Sequence, residues 1–321
     1  MIAVEFGPDD LARCRFAISP LWETVGAVAA LHRPSGAAAH LPWLQAAGER
    51  LTGLDVAPLV TLLESPVYVP DFITPPPESP SENVEAELAR VRATPRERAA
   101  AELTRAIERR AIGPTEQALL DDPSAAVGVL ADLMHECWRR LLADDWPRVR
   151  DLLEADILHR ARLLTSGGME RVLEDLHPDV SWQRQTLRVR KRHEQRVPLD
   201  GQGLLFVPSA FTWPDVLLVT DPPWQPTLIY PARGVGQMWE RKRHAGPELS
   251  ALLGPTRALV LAGAVEPVST TRLAARLSLP VGTVSDHLGV LSRAGLVRSA
   301  RAGRQVLYAA TPVGHALLAA R

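Results

Sequence analysis

The residues best equipped for chemistry lie near the C-terminal end of the sequence. Thr283, Ser285, Asp286 and His287 put hydroxyls, a carboxylate and an imidazole within one short run, and Arg293 follows. Such side chains supply the donors and acceptors that read base edges in a DNA major groove. Further on, Arg298, Arg301 and Arg304 surround Gly303, and arginines suit phosphate or minor-groove contacts. Catalytic patterns, by contrast, each break off. His135-Glu136-Cys137 begins like a zinc-protease helix, but position 139 is Arg where the second His is required. Gly201-Gln202-Gly203 and Gly234-Val235-Gly236 lack a third glycine and a following helix start. Ser166-Gly167-Gly168 has no nucleophile-elbow pattern around it. His159 and His177 have no partner visible in sequence. The expectation is a protein with no catalytic residues and no cofactor.

The elements that would position the DNA-reading residues are themselves legible. Leu273 and Leu277 are four apart and share one face of a short helix, with Ala274 small enough for a second helix to cross closely. Ser278 to Pro280 is a turn, and proline suits the start of the next helix. Val281, Val284, Leu288 and Leu291 then recur at helical spacing and predict a buried stripe. The opposite face carries Thr283, Asp286, Val290 and Arg293, with Ser285 and His287 on its flanks. After Gly295, Leu296-Val297 starts a strand, Val306 to Tyr308 resumes one, and Thr311-Pro312 begins a final helix. This order predicts a winged helix-turn-helix over 245–321, with double-stranded DNA as its partner.

This segment resembles the ArsR family of bacterial transcriptional regulators. The resemblance rests on Leu273-Ala274, Leu277, Thr283 to Leu288, Leu291, Ala294 to Val297 and the arginine hairpin ending in Leu307-Tyr308. It implies an operator-binding homodimer that usually represses. Metal-sensing members carry paired cysteines in the first helix of the motif, whereas residues 270–277 here hold no thiol. Others carry several ligands in the terminal helix, where His315 stands alone. A metal site needs about four donors, so metal sensing is not expected. A two-fold dimer doubles the DNA contacts, and Leu252, Leu253, Leu317 and Leu318 are the apolar residues that could pack across the axis.

Charge divides the chain in the same way. Residues 241–321 hold 11 Lys+Arg against three acidic residues, a net +8, while the first 240 carry −9. A basic terminal segment on an acidic body points to a polyanion partner for that segment. No apolar run is long enough for a transmembrane helix. The first residues carry Glu5, Asp9 and Asp10 rather than a basic leader pattern, so a cytoplasmic protein is expected. Cys14 and Cys137 alone make neither a disulfide framework nor a closed zinc site.

The remainder, 1–240, reads as a helical regulatory domain with a small β-sheet at about 182–232. Residues 1–64 read as helical, with Ser19-Pro20-Leu21 opening a helix carrying Leu21, Val25, Val28 and Leu31 at helical spacing. The proline-rich stretch Ser65–Ser81 reads as a loop or extended linker. Further helices are expected from Ser81, Thr94, Ser124 and Trp146, the last broken at Gly167-Gly168. Beyond Val180, Leu187 to Arg190 alternates with period two, and short apolar runs at 203–207, 216–220 and 227–230 predict an antiparallel meander. Trp182, Trp213, Trp224 and Trp239 cluster here. Tryptophan in a small sheet belongs more often to the core than to a pocket. Even so, Trp182, Trp213 and Trp224 are the side chains able to line an effector site, for a small molecule rather than a metal ion.

Phe6 to Leu11, Arg15 to Trp22, Leu41-Pro42-Trp43 and Tyr230 to Gly234 resemble an uncharacterised domain that precedes ArsR-type winged helices in actinobacterial regulators. The expected fold is mainly α with a small antiparallel β region and a C-terminal winged helix-turn-helix. The expected function is sequence-specific, repressing DNA binding without a metal site. The alternative is a sensor or scaffold whose winged helix mediates protein–protein contact.

Overall fold

The computed structural model describes residues 1–321 apart from 34–39, 66–67, 109–110, 192, 239–246, 266–267, 278, 303–304 and 320–321. The chain is mostly helical and divides into two compact units, Met1–Trp239 and Glu240–Arg321.

The first unit has a helical core. Ser19 caps the helix Pro20–His32, its hydroxyl accepting from the Trp22 amide at 3.0 Å. Leu21, Val25 and Val28 of that helix are buried. They join Leu88 of Val84–Arg92, Leu103 of Arg96–Ile107 and Leu130 and Met134 of Pro123–Cys137 in one apolar cluster. The long helical run Trp146–Glu174 is interrupted where the glycine pair predicts: Gly168 has φ +71°, outside helical space.

The described part of Ser65–Ser81 is a packed loop and not an extended linker. Asp71–Ile73 forms a short 3-10 turn, Phe72 and Ile73 are fully buried, and Pro75, Pro76 and Pro77 are buried beside them. Proline fixes φ and so lowers the entropy lost when an extended chain packs. The Phe72-Ile73 pair supplies the apolar area that holds the segment down.

Nor is the start of the chain all helix. Strand β1 (Ile2–Glu5) alternates buried Ile2 and Val4 with more exposed Ala3 and Glu5, and β2 (Arg15–Phe16) follows. The later strands are β3 (Val180–Gln183), β4 (Thr186–Val189), β5 (Gln195–Pro198), β6 (Leu205–Ser209), β7 (Leu217–Val219) and β8 (Thr227–Pro231). They do not form one antiparallel meander. One sheet has the order β3-β4-β1-β5, with β1 antiparallel to β4 and parallel to β5. The other has the order β2-β6-β8-β7, with β2·β6 and β6·β8 parallel. Strands β6 and β8 are buried on both faces, which is why they read as continuous apolar runs. Phe206, Leu228 and Tyr230 face the inner side of the first sheet, while Leu205, Val207 and Ile229 pack with Trp22 and Trp224 on the other face. The β3–β4 hairpin turns through Arg184 (φ +47°) and Gln185 (φ +63°) without the usual Asn-Gly.

A buried acid pins the crossing between the two sheets. Asp10, fully buried, accepts from the Gly7 amide at 2.7 Å and from the Gly203 amide at 2.8 Å. Gly203 has φ +68°, and a Cβ there would lie 2.5 Å from the Arg13 carbonyl carbon, so only glycine fits.

In the second unit, helices Pro247–Leu253 and Pro255–Gly263 meet at Gly254, φ +83°. Strand β9 (Val268–Ser269), helices Thr270–Leu277 and Val281–Arg293, strands β10 (Val297–Ala302) and β11 (Gln305–Ala310) and helix Pro312–Ala319 follow. β10, β11 and β9 form an antiparallel sheet in that order.

Candidate nucleic-acid interface

The helix Val281–Arg293 is positioned from beneath by its apolar stripe. Val284, Leu288 and Leu291 are 1% exposed or less and pack against Leu261, Leu273 and Ala274. Val281, read from spacing as part of that stripe, is 50% exposed; it sits in the first turn, beyond the reach of the core. The preceding turn is tied by Leu279 N–H to Ala274 O at 3.0 Å. The helix ends in a Schellman motif: Leu296 N–H reaches Leu291 O at 2.9 Å, and Gly295 N–H reaches Ser292 O at 3.0 Å, with Gly295 at φ +69°. That motif turns the chain directly into β10.

A second clamp holds the end of the hairpin to the end of this helix. Thr311 Oγ1 donates to Gly295 O at 2.7 Å and accepts from the Gly314 amide at 3.1 Å. A Cβ on Gly314 would overlap Leu296 O, so the terminal helix lies against that backbone.

With the stripe buried, the opposite side of Val281–Arg293 faces outward. Ser285, Asp286 and Arg293 are exposed, and Thr283 and His287 are half-buried. On the hairpin, Arg298 and Arg301 are exposed. Strand alternation places Arg301 on the same side as buried Val297 and Arg298 on the other, so the two arginines do not share a face. Gly303 and Arg304 lie outside the described residues. Arg272, exposed in the first helix of the pair, is a cation that the motif reading passed over. Its only sequence signal is its place in the +8 segment. Of the four leucines expected to pack between protomers, Leu252 is 69% exposed. Leu253, Leu317 and Leu318 pack partly against this unit's own core.

In the first unit, the tryptophans do not line one pocket. Trp182 packs edge-on to Phe6, with ring centroids 5.0 Å apart. Trp213 is 50% exposed and meets His177. Trp224 lies under the Arg98 guanidinium and beside a shallow groove of about 320 Å³ lined by Pro222, Pro223 and Pro226. Trp239 lies outside the described residues. His159 and His177 have structural neighbours: His159 shares Asp175 with Arg160 and Arg233, and His177 Nδ1 accepts from the Asp179 amide. Glu136 pairs with Arg139 and Arg140. Both thiols are free, and burial pushes Cys14 up to about 11 and Cys137 up to about 12, which favours the protonated thiol over the nucleophilic thiolate. Among the described residues no cluster of three metal-ligating side chains occurs, and no helix is long and apolar enough to cross a membrane.

Residues 255–300 match the family model of a helix-turn-helix domain, which supports a DNA-binding transcription regulator of the helix-turn-helix kind. No curated protein and no solved structure matches the chain. Residues 72–236, just over half of the chain, match the model of a family of unknown function (DUF5937), and the chain belongs to that family.

Proposed function

We propose that the chain is a sequence-specific transcriptional repressor of the ArsR type, binding double-stranded DNA as a homodimer in the cytoplasm. The observation that carries the reading is the helix Val281–Arg293, held by a buried stripe and presenting its polar face outward, inside the stretch that matches a helix-turn-helix domain. Thr283, Ser285 and His287 lie toward the N-terminal part of that helix, where side chains reach base edges. Asp286 either accepts from a cytosine amino group or turns away from phosphate. The β10–β11 hairpin is the wing, and Arg301 and Arg304 contact phosphate or the minor groove. Arg293 and Arg298 add phosphate contacts. The exposed Leu252 supports the dimer contact. Met1–Trp239 is the regulatory domain, without catalysis or a metal site, and any effector is a small molecule.

The test is titration of the full chain on DNA at several salt concentrations. Phosphate contacts release counterions, so the logarithm of affinity falls steeply with that of salt. Arg301→Ala lowers that slope by about one unit on every sequence. Thr283→Ala or His287→Ala costs about 1–3 kcal/mol on a preferred sequence and little on scrambled DNA. Binding that ignores salt and both sets of substitutions would contradict the proposal and favour a protein-docking domain.

A further inference from the structure

The first unit carries its own basic surface within an acidic body. Residues 184–196 hold six Lys+Arg (Arg184, Arg188, Arg190, Lys191, Arg192 and Arg196) against Glu194 alone, in a region of 240 residues whose net charge is −9. The fold turns much of this run into one face. Leu187, Val189 and Val197 point into the core with Ile2 and Val4. Strand alternation therefore sends Arg188 and Arg196 to the solvent side of the β3-β4-β1-β5 sheet. The register sets Ser181, Arg188, Ala3 and Arg196 in one row across its four strands. Two arginines thus flank a small alanine, about 10 Å apart at the backbone given the spacing between strands.

A shallow groove of about 430 Å³ runs over this face, lined by Ala3, Arg188 and Arg196. Its acidic lining is Glu5 and Glu194, and Glu5 reaches Arg196 only at 3.4 Å, with the Arg196 side chain still 84% exposed. Arg184, at the hairpin turn, is exposed. Arg184, Arg188 and Lys191 have no ion pair among the described residues. Arg190 meets Asp179 at 3.3 Å, with its side chain 75% exposed.

From this juxtaposition we propose that the outer face of the β3-β4-β1-β5 sheet is a second DNA-binding surface, whose occupant is the sugar-phosphate backbone of duplex DNA. The inference rests on the DNA-binding reading of the second unit. Charge complementarity chooses the occupant: six cations against Glu194 alone suit a polyanion, and an arginine fork matches phosphate oxygens. Ala3, small and between the arginines, lets a backbone approach the sheet. Such contacts add affinity and orientation but no sequence information.

The test compares the full chain with Arg184→Ala/Arg188→Ala/Arg196→Ala on mixed-sequence duplex DNA across a salt series. Arg298→Ala/Arg301→Ala runs in parallel. The sheet variant lowers the salt slope by about 0.9 for each phosphate contact removed, by the same amount on any sequence. Glu5→Gln acts in the opposite direction, strengthening binding by releasing Arg196. All the altered side chains are solvent-facing, and unchanged thermal unfolding confirms that the fold is intact. A hairpin variant that lowers the slope beside a sheet variant that does not would overturn this inference and leave the function of the second unit standing. No binding of the unaltered chain to duplex DNA would overturn both. Loss of binding to anionic lipid vesicles with an unchanged DNA slope would reassign the face to a membrane and also overturn it.

Discussion

Replacing Asp156 by alanine removes the centre of a buried polar network in the first unit. Asp156 is 2% exposed, and its Oδ2 accepts from the Tyr230 hydroxyl at 2.7 Å and faces Arg160 Nε at 3.5 Å. Its Oδ1 accepts from the Arg233 amide at 3.1 Å. Arg160 is itself 1% exposed and donates to both the carbonyl and the carboxylate of Asp175 at 2.7 Å. Removing one partner of a buried pair leaves the other charge uncompensated, a cost of about 3–5 kcal/mol. Because Asp175 still holds Arg160, the lower end, about 3 kcal/mol, applies to Asp156→Ala. Tyr230→Phe removes one hydrogen bond to a carboxylate, about 1.5 kcal/mol, since Asp156 keeps its other partners. In the double variant that bond can be lost only once, so the combined cost falls short of the sum by about 1 kcal/mol. Urea unfolding followed by tryptophan fluorescence is the assay. All eight tryptophans lie at or before Trp239, so the signal reports the first unit alone. A cost below about 1 kcal/mol for Asp156→Ala, the range of ordinary surface changes, or strict additivity of the pair, would refute the network as described.

Burial pushes the Glu23 carboxyl up from 4.5 to about 7, against the lowering effect of its hydrogen bonds from Ser209 and the Ala210 amide. The fold favours the protonated form, so this contribution is full below pH 4.5 and is lost as pH rises through about 7. Glu23→Gln should flatten the fall in first-unit stability across that window; an unchanged pH profile by tryptophan fluorescence would count against it. Gly203→Ala should destabilise the first unit by about 1–3 kcal/mol through the overlap with Arg13, and a neutral effect in the same assay would show that the crossing relaxes. Leu288→Ala, at a fully buried position, should cost the second unit about 2–5 kcal/mol and abolish DNA binding. Tryptophan fluorescence should stay unchanged, and a shifted first-unit transition would contradict the division into two units.

The second unit was legible because its signals are local. Val284, Leu288 and Leu291 declare the buried stripe by spacing, and Gly295 before Leu296-Val297 marks the passage from helix to strand. Val281 misled, because spacing cannot tell where the core ends, and Leu253, Leu317 and Leu318, read as dimer contacts, pack partly against this unit's own core. In the first unit the strand runs near 187–190, 203–207, 216–220 and 227–230 were legible, but their arrangement into two sheets was not, since those pairings are not local. Ile2 pairs with Val189 and Gln195, and nothing near Ile2 names either partner. Parallel strands such as β6 and β8 have no hairpin turn to announce them. The segment around Phe72 is the loop its prolines predict, but its packing was missed because proline content was weighed above its apolar pair. The basic run at 184–196 vanished into the −9 average of its region, and a running charge count would have found it.

Selecting bound duplexes from a random pool with the full chain tests sequence-specific DNA binding by the second unit. The expected outcome is enrichment of an inverted repeat whose half-sites lie about one helical turn, 10–10.5 bp, apart. Thr283→Ala or His287→Ala should relax positions within each half-site, while Arg301→Ala weakens recovery without changing the sequence. A pool that returns no enriched sequence, or whose enriched sequence survives the Thr283 and His287 substitutions unchanged, would contradict it.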